Sequence, residues 1–165
     1  MSDDALGGRA PERELLTGAL DWYRAVAIRK VEDLSFEQAT RVLTPSGLSP
    51  LGIVQHLAWV ECVWFRWRFA AEDVPIFTGG SDNTVTFELR PGDVVESVVA
   101  SYRDEADHAR RIVAGAALDD VSTRESPMFG LVTLRWTLVH LIEETARHAG
   151  HLDIMREQLD GRTGD

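Results

Sequence analysis

The chain has 165 residues, of which 44% are apolar and 27% charged, and its 17 Lys and Arg against 27 Asp and Glu give a formal net charge of −10. This length suits one domain, and this composition is that of a globular protein with an apolar core. An acidic excess of that size repels phosphate backbones and anionic lipid headgroups, so we expect neither nucleic-acid binding nor membrane binding.

Three features of the sequence predict the compartment. Cys62 is the single cysteine, and a lone thiol fits a reducing environment. The acidic residues 1–4 are followed by no apolar run, which predicts the absence of a secretory signal. The most apolar stretch, 48–69, contains too many polar side chains to span a bilayer. We therefore expect a cytoplasmic protein.

The first half of the chain predicts two long helices. Residues 1–10 are expected to form a flexible tail, and apolar residues then recur at spacings of three and four from Pro11 to about residue 32. A short helix is possible at 35–41. Ser49 and Pro50 resemble an N-cap and a first-turn proline, and an apolar stripe follows them to about residue 70. The stripe consists of Ile53, Leu57, Val60, Trp64 and Trp67.

The second half predicts two more long helices, at about 93–116 and from 131 or 133 to 159. Long loops at 71–92 and 117–130 precede them, and only 84–87 has some strand character. The predicted fold is therefore all-α: one four-helix-bundle domain over residues 11–160 with long connecting loops. Such loops tend to be functional and are expected to cover a site at one end of the bundle.

A polar stripe on the last helix is the strongest functional signal. It consists of His140, Glu144, His148 and His151, and it lies beside an apolar stripe, so it borders the bundle interior. Glu144 and His148 are one turn apart and can reach one ion, while His56 flanks the seam of the second long helix. Two imidazoles and a carboxylate suit a divalent metal with open coordination positions, and zinc, nickel and iron(II) all fit. The alternative is that these are hydrogen-bonded core histidines and a solvated glutamate.

Three stretches carry a resemblance to a known family: 49–57 (SPLGIVQHL), 134–140 (LRWTLVH) and 142–151 (IEETARHAGH). They resemble the DinB/YfiT-like superfamily, in particular its DUF664 branch, over nearly the whole chain. The resemblance implies an antiparallel four-helix bundle, commonly dimeric. It also implies metal ligation by His56, Glu144 and His148, with glutamate where many relatives have a third histidine.

The resemblance further implies a metal-dependent thiol S-transferase. Such an enzyme would activate a low-molecular-weight thiol for attack on an electrophilic small molecule, because metal coordination yields a thiolate near neutral pH. The resemblance implies that the thiol is mycothiol or bacillithiol. We expect mycothiol, the thiol of actinobacteria, because the Ala-, Arg- and Val-rich composition, with Lys30 as the only lysine, is typical of a high-GC genome. His151 and His140 would position groups or move protons, and Tyr102 is a weaker candidate for the pocket.

Other functions remain open on the sequence alone. Water in place of the thiol would give a metal-dependent hydrolase. The chain could also be a non-enzymatic metal-binding or stress-response protein, or a structural bundle with incidental histidines. The tryptophans of the second long helix (Trp59, Trp64 and Trp67) favour packing on two sides, against the core and against a partner in a homodimer.

Overall fold

The computed structural model describes residues 8–76 and 83–164, and its regular elements are helices. Within these ranges there is no β-strand, only isolated bridges between Val121 and Thr133 and between Ser126 and Gly130. No helix in the described ranges is long and apolar enough to cross a membrane. The helices are α1 (Glu12–Arg29), α2 (Phe36–Thr40), α3 (Pro50–Glu61) with a π-helical continuation (Cys62–Phe69), a 3-10 helix (Asn83–Phe87), α4 (Val95–Ala114) and α5 (Leu134–Asp160).

Side-chain caps and one glycine fix the ends of the helices that carry the candidate site. The Ser49 hydroxyl accepts a hydrogen bond from the Gly52 N–H at the start of α3, and Pro50 occupies the first turn. The Thr133 hydroxyl accepts one from the Trp136 N–H at the start of α5. α5 ends at Gly161, whose φ of 75° is left-handed and favours glycine.

Two segments differ in local geometry from the regular helix and the loop that the sequence predicts. The helix expected to reach residue 70 becomes π-helical at Cys62, and the Ala70 N–H donates to the Phe65 carbonyl, five residues back. The spacing of apolar residues does not distinguish bonds of four residues from bonds of five. Residues 84–87, which have strand character, belong to the 3-10 helix, and this segment packs on α3 instead of pairing with a strand.

The other predicted elements are confirmed with shifted ends. α1 stops at Arg29, and α4 is two residues shorter at each end than expected. Residues 77–82 of the predicted 71–92 loop lie outside the described residues, as do residues 1–7 of the predicted tail.

The helices enclose two apolar clusters with a polar layer between them. α1 packs on α5, α3 packs on α4, and α3 also contacts α5. One cluster contains Leu57, Tyr102 and Leu152, and the other contains Leu20, Phe65 and Leu141. The segments between them along α1, α3 and α5 carry the buried polar side chains Arg24, Glu61, Thr145 and His148. This polar layer positions the candidate site.

Candidate metal centre

Helices α3 and α5 bring His56, Glu144 and His148 together. The Nε2 atoms of both histidines lie 3.2 Å from the same oxygen, Oε1 of Glu144. One potential ligand atom from each residue lies within 4.8 Å of the other two. Both histidines are buried, and the Glu144 side chain is 16% exposed. The arrangement is thus a compact set of three donors at the boundary between core and solvent.

Arg147 holds the Glu144 carboxylate from the solvent side. Its guanidinium donates to Glu144 Oε2 at 3.1 Å and also binds Glu143. Because Arg147 takes Oε2, Oε1 is the oxygen directed at the two imidazoles. Residues 143, 144 and 147 are neighbours on one helical surface, so α5 alone supplies this orientation.

The 3-10 helix orients His56 from behind. Nδ1 of His56 lies 2.7 Å from the buried Thr86 hydroxyl, and the Phe87 ring stacks on the imidazole at 4.0 Å with an interplanar angle of 11°. A Cβ at Gly52 would lie 2.5 Å from the Phe87 carbonyl oxygen, so this segment approaches α3 closely only because residue 52 is glycine. His56 is therefore fixed on one face and at one nitrogen, with Nε2 directed at Glu144.

His148 is fixed by ring contacts. Its imidazole lies 4.9 Å from that of His56, 5.7 Å from the Phe87 ring and 5.3 Å from that of His151. Its Nδ1 is buried and has no hydrogen-bond partner among the described residues. One nitrogen of His148 thus faces Glu144, and the other is not used by the fold.

The electrostatics favour a neutral His56 imidazole beside an ionised Glu144 carboxylate. Burial lowers the pKa of His56, although hydrogen bonding to Glu144 acts in the opposite direction. Hydrogen bonds from His148 and then His56 hold the pKa of Glu144 well below its usual range. A deprotonated carboxylate and neutral imidazoles are the forms that bind metal ions.

The other two histidines of the polar stripe have different surroundings. His151 lies beside His148, burial lowers its pKa, and its Nδ1 is buried without a partner among the described residues. His140 lies in a group of aromatic rings, 4.6 Å from Trp64 and stacked on Trp136 at 4.9 Å. Burial also lowers the pKa of His140. His151 adjoins the three donors, and His140 lies one helical turn before Glu144.

Tyr102 lies apart from the three donors, in the core. It is fully buried, and its pKa is raised by burial and then by the charge of Glu61. Glu61 forms a bidentate ion pair with Arg24, with both nitrogen–oxygen distances 2.6 Å. The Tyr102 hydroxyl has no hydrogen-bond partner within the described ranges. None of the ring contacts or hydrogen bonds of the three donors includes Tyr102.

Sequence reasoning missed Thr86, Phe87 and Arg147 as parts of this site. The first two come from a segment with no helical periodicity, and nothing in the sequence links them to His56. Gly52 is the signal that could have found them, since a glycine inside an apolar helix, four residues before a candidate ligand, indicates a close backbone approach.

Comparison with known proteins identifies a family. A family model described as mycothiol-S-transferase matches residues 15–161, which include every residue of the candidate site. No curated protein matches the chain.

Proposed function

We propose that this chain, which belongs to the mycothiol-S-transferase family, is a metal-dependent enzyme that joins mycothiol through its sulfur to an electrophilic small molecule. The convergence of two buried imidazole nitrogens on one carboxylate oxygen carries the proposal. With an aryl halide as the electrophile, a bond forms between sulfur and the ring carbon, the carbon–halogen bond breaks and halide leaves, and the thiol proton passes to a base.

The donor set fits a divalent metal ion. Two ligands held about 2.1 Å from one tetrahedral ion lie about 3.4 Å apart, close to the 3.2 Å between Glu144 Oε1 and either Nε2. His56, Glu144 and His148 would hold the ion, and zinc, nickel or iron(II) suits two nitrogens and one oxygen. When bound, the ion supplies a positive charge that lowers the pKa of a coordinated thiol from about 8.5 toward neutrality.

The surrounding residues fix the protonation states of the donors. Metal binding needs the lone pair of His56 Nε2, so the ring proton must then be on Nδ1, where it is donated to the Thr86 hydroxyl. Arg147 keeps the second oxygen of Glu144 engaged at 3.1 Å. These contacts hold two of the three donors in position before any ion binds.

We assign proton transfer to the histidines beside the donors. His151 is a base of lowered pKa next to His148, so it is the first candidate to accept the thiol proton. His140, one turn from Glu144 and enclosed by Trp64 and Trp136, is the second candidate and would line the electrophile's side of the site. Tyr102 would act only indirectly, by supporting the polar layer in which Glu61 and Arg24 lie.

A thiol-dependent rate separates this proposal from its alternatives. A metal-dependent hydrolase would turn over an ester without thiol, and a non-enzymatic metal-binding protein would hold the ion and show no rate. The test is an assay of metal-loaded protein with mycothiol and an aryl halide, before and after chelation. We expect a rate that requires both metal and thiol, and a thiol-independent rate or none would contradict the proposal.

Matched variants of adjacent glutamates locate the activity. Glu144→Gln removes a charged donor and is expected to lower the transfer rate at least about 100-fold. Glu143→Gln alters the exposed neighbour, whose ion pair among the described residues is with Arg147, and is expected to keep the rate within about twofold. Equal rates in the two variants, or a His148→Ala variant that keeps both metal and activity, would exclude this site.

Several wider features belong to the same proposal. His56 lies beside His148, whereas Trp64, later on the same helix, lies beside Trp136 and His140, which supports an antiparallel bundle. We propose one bundle domain over residues 11–160, in the DUF664 branch of the DinB/YfiT-like proteins, acting as a homodimer in the cytoplasm.

A further inference from the structure

A cleft of about 300 Å³ lies between α3 and residues 85–91, next to His56. Gln55 and Trp59 line it from α3, and Glu88 and Arg90 line it from the opposite segment. The cleft is distinct from the three donors but connected to them. Thr86 lines it and also contacts His56 Nδ1 at 2.7 Å, and the Trp59 ring lies 6.1 Å from the His56 ring.

Three of the polar side chains around this cleft, unlike Thr86, take no part in holding the fold. Gln55, Glu88 and Arg90 form no side-chain hydrogen bond or ion pair within the parts of the chain that the structure describes. Glu88 and Arg90 are exposed and Gln55 is half-buried, whereas the indole N–H of Trp59 is buried without an acceptor there. Buried polar groups are normally paired, so this unpaired donor on a residue that lines the cleft indicates a surface that binds a further group.

Several arginines elsewhere in the chain are paired. Arg66 pairs with Glu72 and Glu105, Arg110 with Asp21, and Arg156 with Asp33. Arg90 is unpaired within the described residues, as are the exposed Arg29, Arg41 and Arg111, and of these four it is Arg90 that lines this cleft. Since a guanidinium offers five donors in a fixed fork, its position at the cleft favours an oxygen-rich ligand.

We propose that this cleft binds the hydroxyl-rich ring portion of the thiol co-substrate, an inference that rests on the proposed function. An amide, a carboxylate, a guanidinium and an indole N–H can together donate to and accept from many hydroxyl groups. The cavity beside His151 has about 140 Å³ and is lined mainly by apolar side chains, including Leu43, Leu48 and Met155, so it suits such a ligand poorly.

The position of the cleft gives it a role in the reaction. A ligand in contact with Trp59 and Arg90 would lie on the Nδ1 side of His56, with the His56 ring between the ligand and Glu144. The ring portion would be held there while the thiol arm reaches past His56 toward Glu144. The cleft would thus select thiols that carry polar rings and would lower KM without changing the chemical step.

The experiment uses mycothiol whose sulfur is methylated, because the blocked sulfur removes the contribution of the metal site. Isothermal titration calorimetry on the full metal-loaded chain would compare wild type, Arg90→Ala and Gln55→Ala. Each substitution is expected to weaken binding about tenfold, through loss of a hydrogen bond. Gln158→Ala is the control, since Gln158 lines the cavity beside His151, and we expect it to leave binding unchanged.

A kinetic experiment tests the same cleft by comparing mycothiol with N-acetylcysteine, which has the thiol arm without the rings. Arg90→Ala is expected to raise KM for mycothiol about tenfold, with kcat and the kinetics of N-acetylcysteine unchanged.

The outcomes separate this inference from the proposed function. Equal binding in all variants, a wild type that does not bind the methylated ligand, or an effect confined to Gln158→Ala would overturn the cleft assignment, whatever the transfer assay shows. Binding that depends on Arg90 and Gln55 in a protein without transfer activity would support the cleft and refute the transferase.

Discussion

Helix α3 carries two buried polar side chains, His56 and Glu61, that differ in how completely their polar atoms are paired. Glu61 is fully used by the fold, since both of its oxygens accept from Arg24 at 2.6 Å, and Arg24 donates in addition to Asp21 at 2.7 Å. His56 shares one Glu144 oxygen with His148, whose second nitrogen is unpaired among the described residues.

This difference distinguishes a buried polar group that stabilises the fold from one that is available to bind a ligand. A buried ion pair is tolerated when every charge has its partner. The three donors leave two nitrogens directed at one oxygen, an arrangement that a cation would complete better than hydrogen bonds do. Within two turns, the same helix thus contributes Glu61 to a fully paired ion pair and His56 to a set of possible metal ligands whose polar atoms are not all paired.

The largest expected change in stability comes from breaking the Arg24–Glu61 ion pair. Glu61→Ala leaves the buried Arg24 charge with only the partly exposed Asp21 as a partner and is expected to lower the free energy of unfolding by about 3 kcal/mol. Urea denaturation of the metal-free protein measures it. The double variant Arg24→Met, Glu61→Leu should recover most of the loss, because it buries no charge. A Glu61→Ala loss below about 1 kcal/mol would contradict the structural role.

Thr86→Val tests whether the Thr86 hydroxyl supports His56 as a metal ligand. It removes the hydroxyl that accepts from His56 Nδ1 and is expected to weaken metal binding about 10- to 100-fold. Competition with a chelating dye measures the affinity. Thr86→Ser keeps the hydroxyl and should bind metal nearly as wild type does. If both variants bind as wild type does, the 3-10 helix does not orient His56.

Two helical glycines provide a matched pair. Gly52→Ala places a Cβ 2.5 Å from the Phe87 carbonyl, so we expect a loss of about 1–3 kcal/mol in unfolding free energy and weaker metal binding as Phe87 moves from His56. Gly150→Ala on α5 meets nothing within 4 Å and should stabilise the protein by up to about 1 kcal/mol. Thermal and urea unfolding measure both changes, and equal effects would contradict the close approach at Gly52.

The smallest effect concerns Asp33, far from the site. Hydrogen bonding from Arg156 lowers the pKa of Asp33, so its ion pair stabilises the protein above the unfolded value of about 3.9 and is lost as the pH falls through the lower folded value. Asp33→Asn should cost less than about 1 kcal/mol at pH 7, since the carboxylate is 43% exposed. Urea midpoints should show the difference shrinking below about pH 4, and a pH-independent difference would contradict this origin.

The sequence predicted the long helices and the three donors because both depend on helical periodicity. Glu144 and His148 are one turn apart on any α-helix, and the N-caps Ser49 and Thr133 are local signals. The π-helical segment could not be predicted, because apolar spacing does not report which carbonyl each N–H reaches.

The support of His56 by Thr86 and Phe87 is also beyond local reasoning. It joins residues 30 apart, through a segment whose alternating pattern suggests a strand. Tyr102 is a pocket candidate from its place on the third long helix. The structure places it in the core near Glu61, and its role in the site stays a prediction.

Metal content is the direct test of whether His56, Glu144 and His148 bind an ion. Protein purified without chelator or a histidine tag would be measured by elemental analysis, beside a His56→Ala, His148→Ala double variant. We expect about one equivalent of zinc, nickel or iron per wild-type chain and little in the variant. A wild type that is empty and cannot be loaded with added metal, or a variant that keeps its metal, would contradict it.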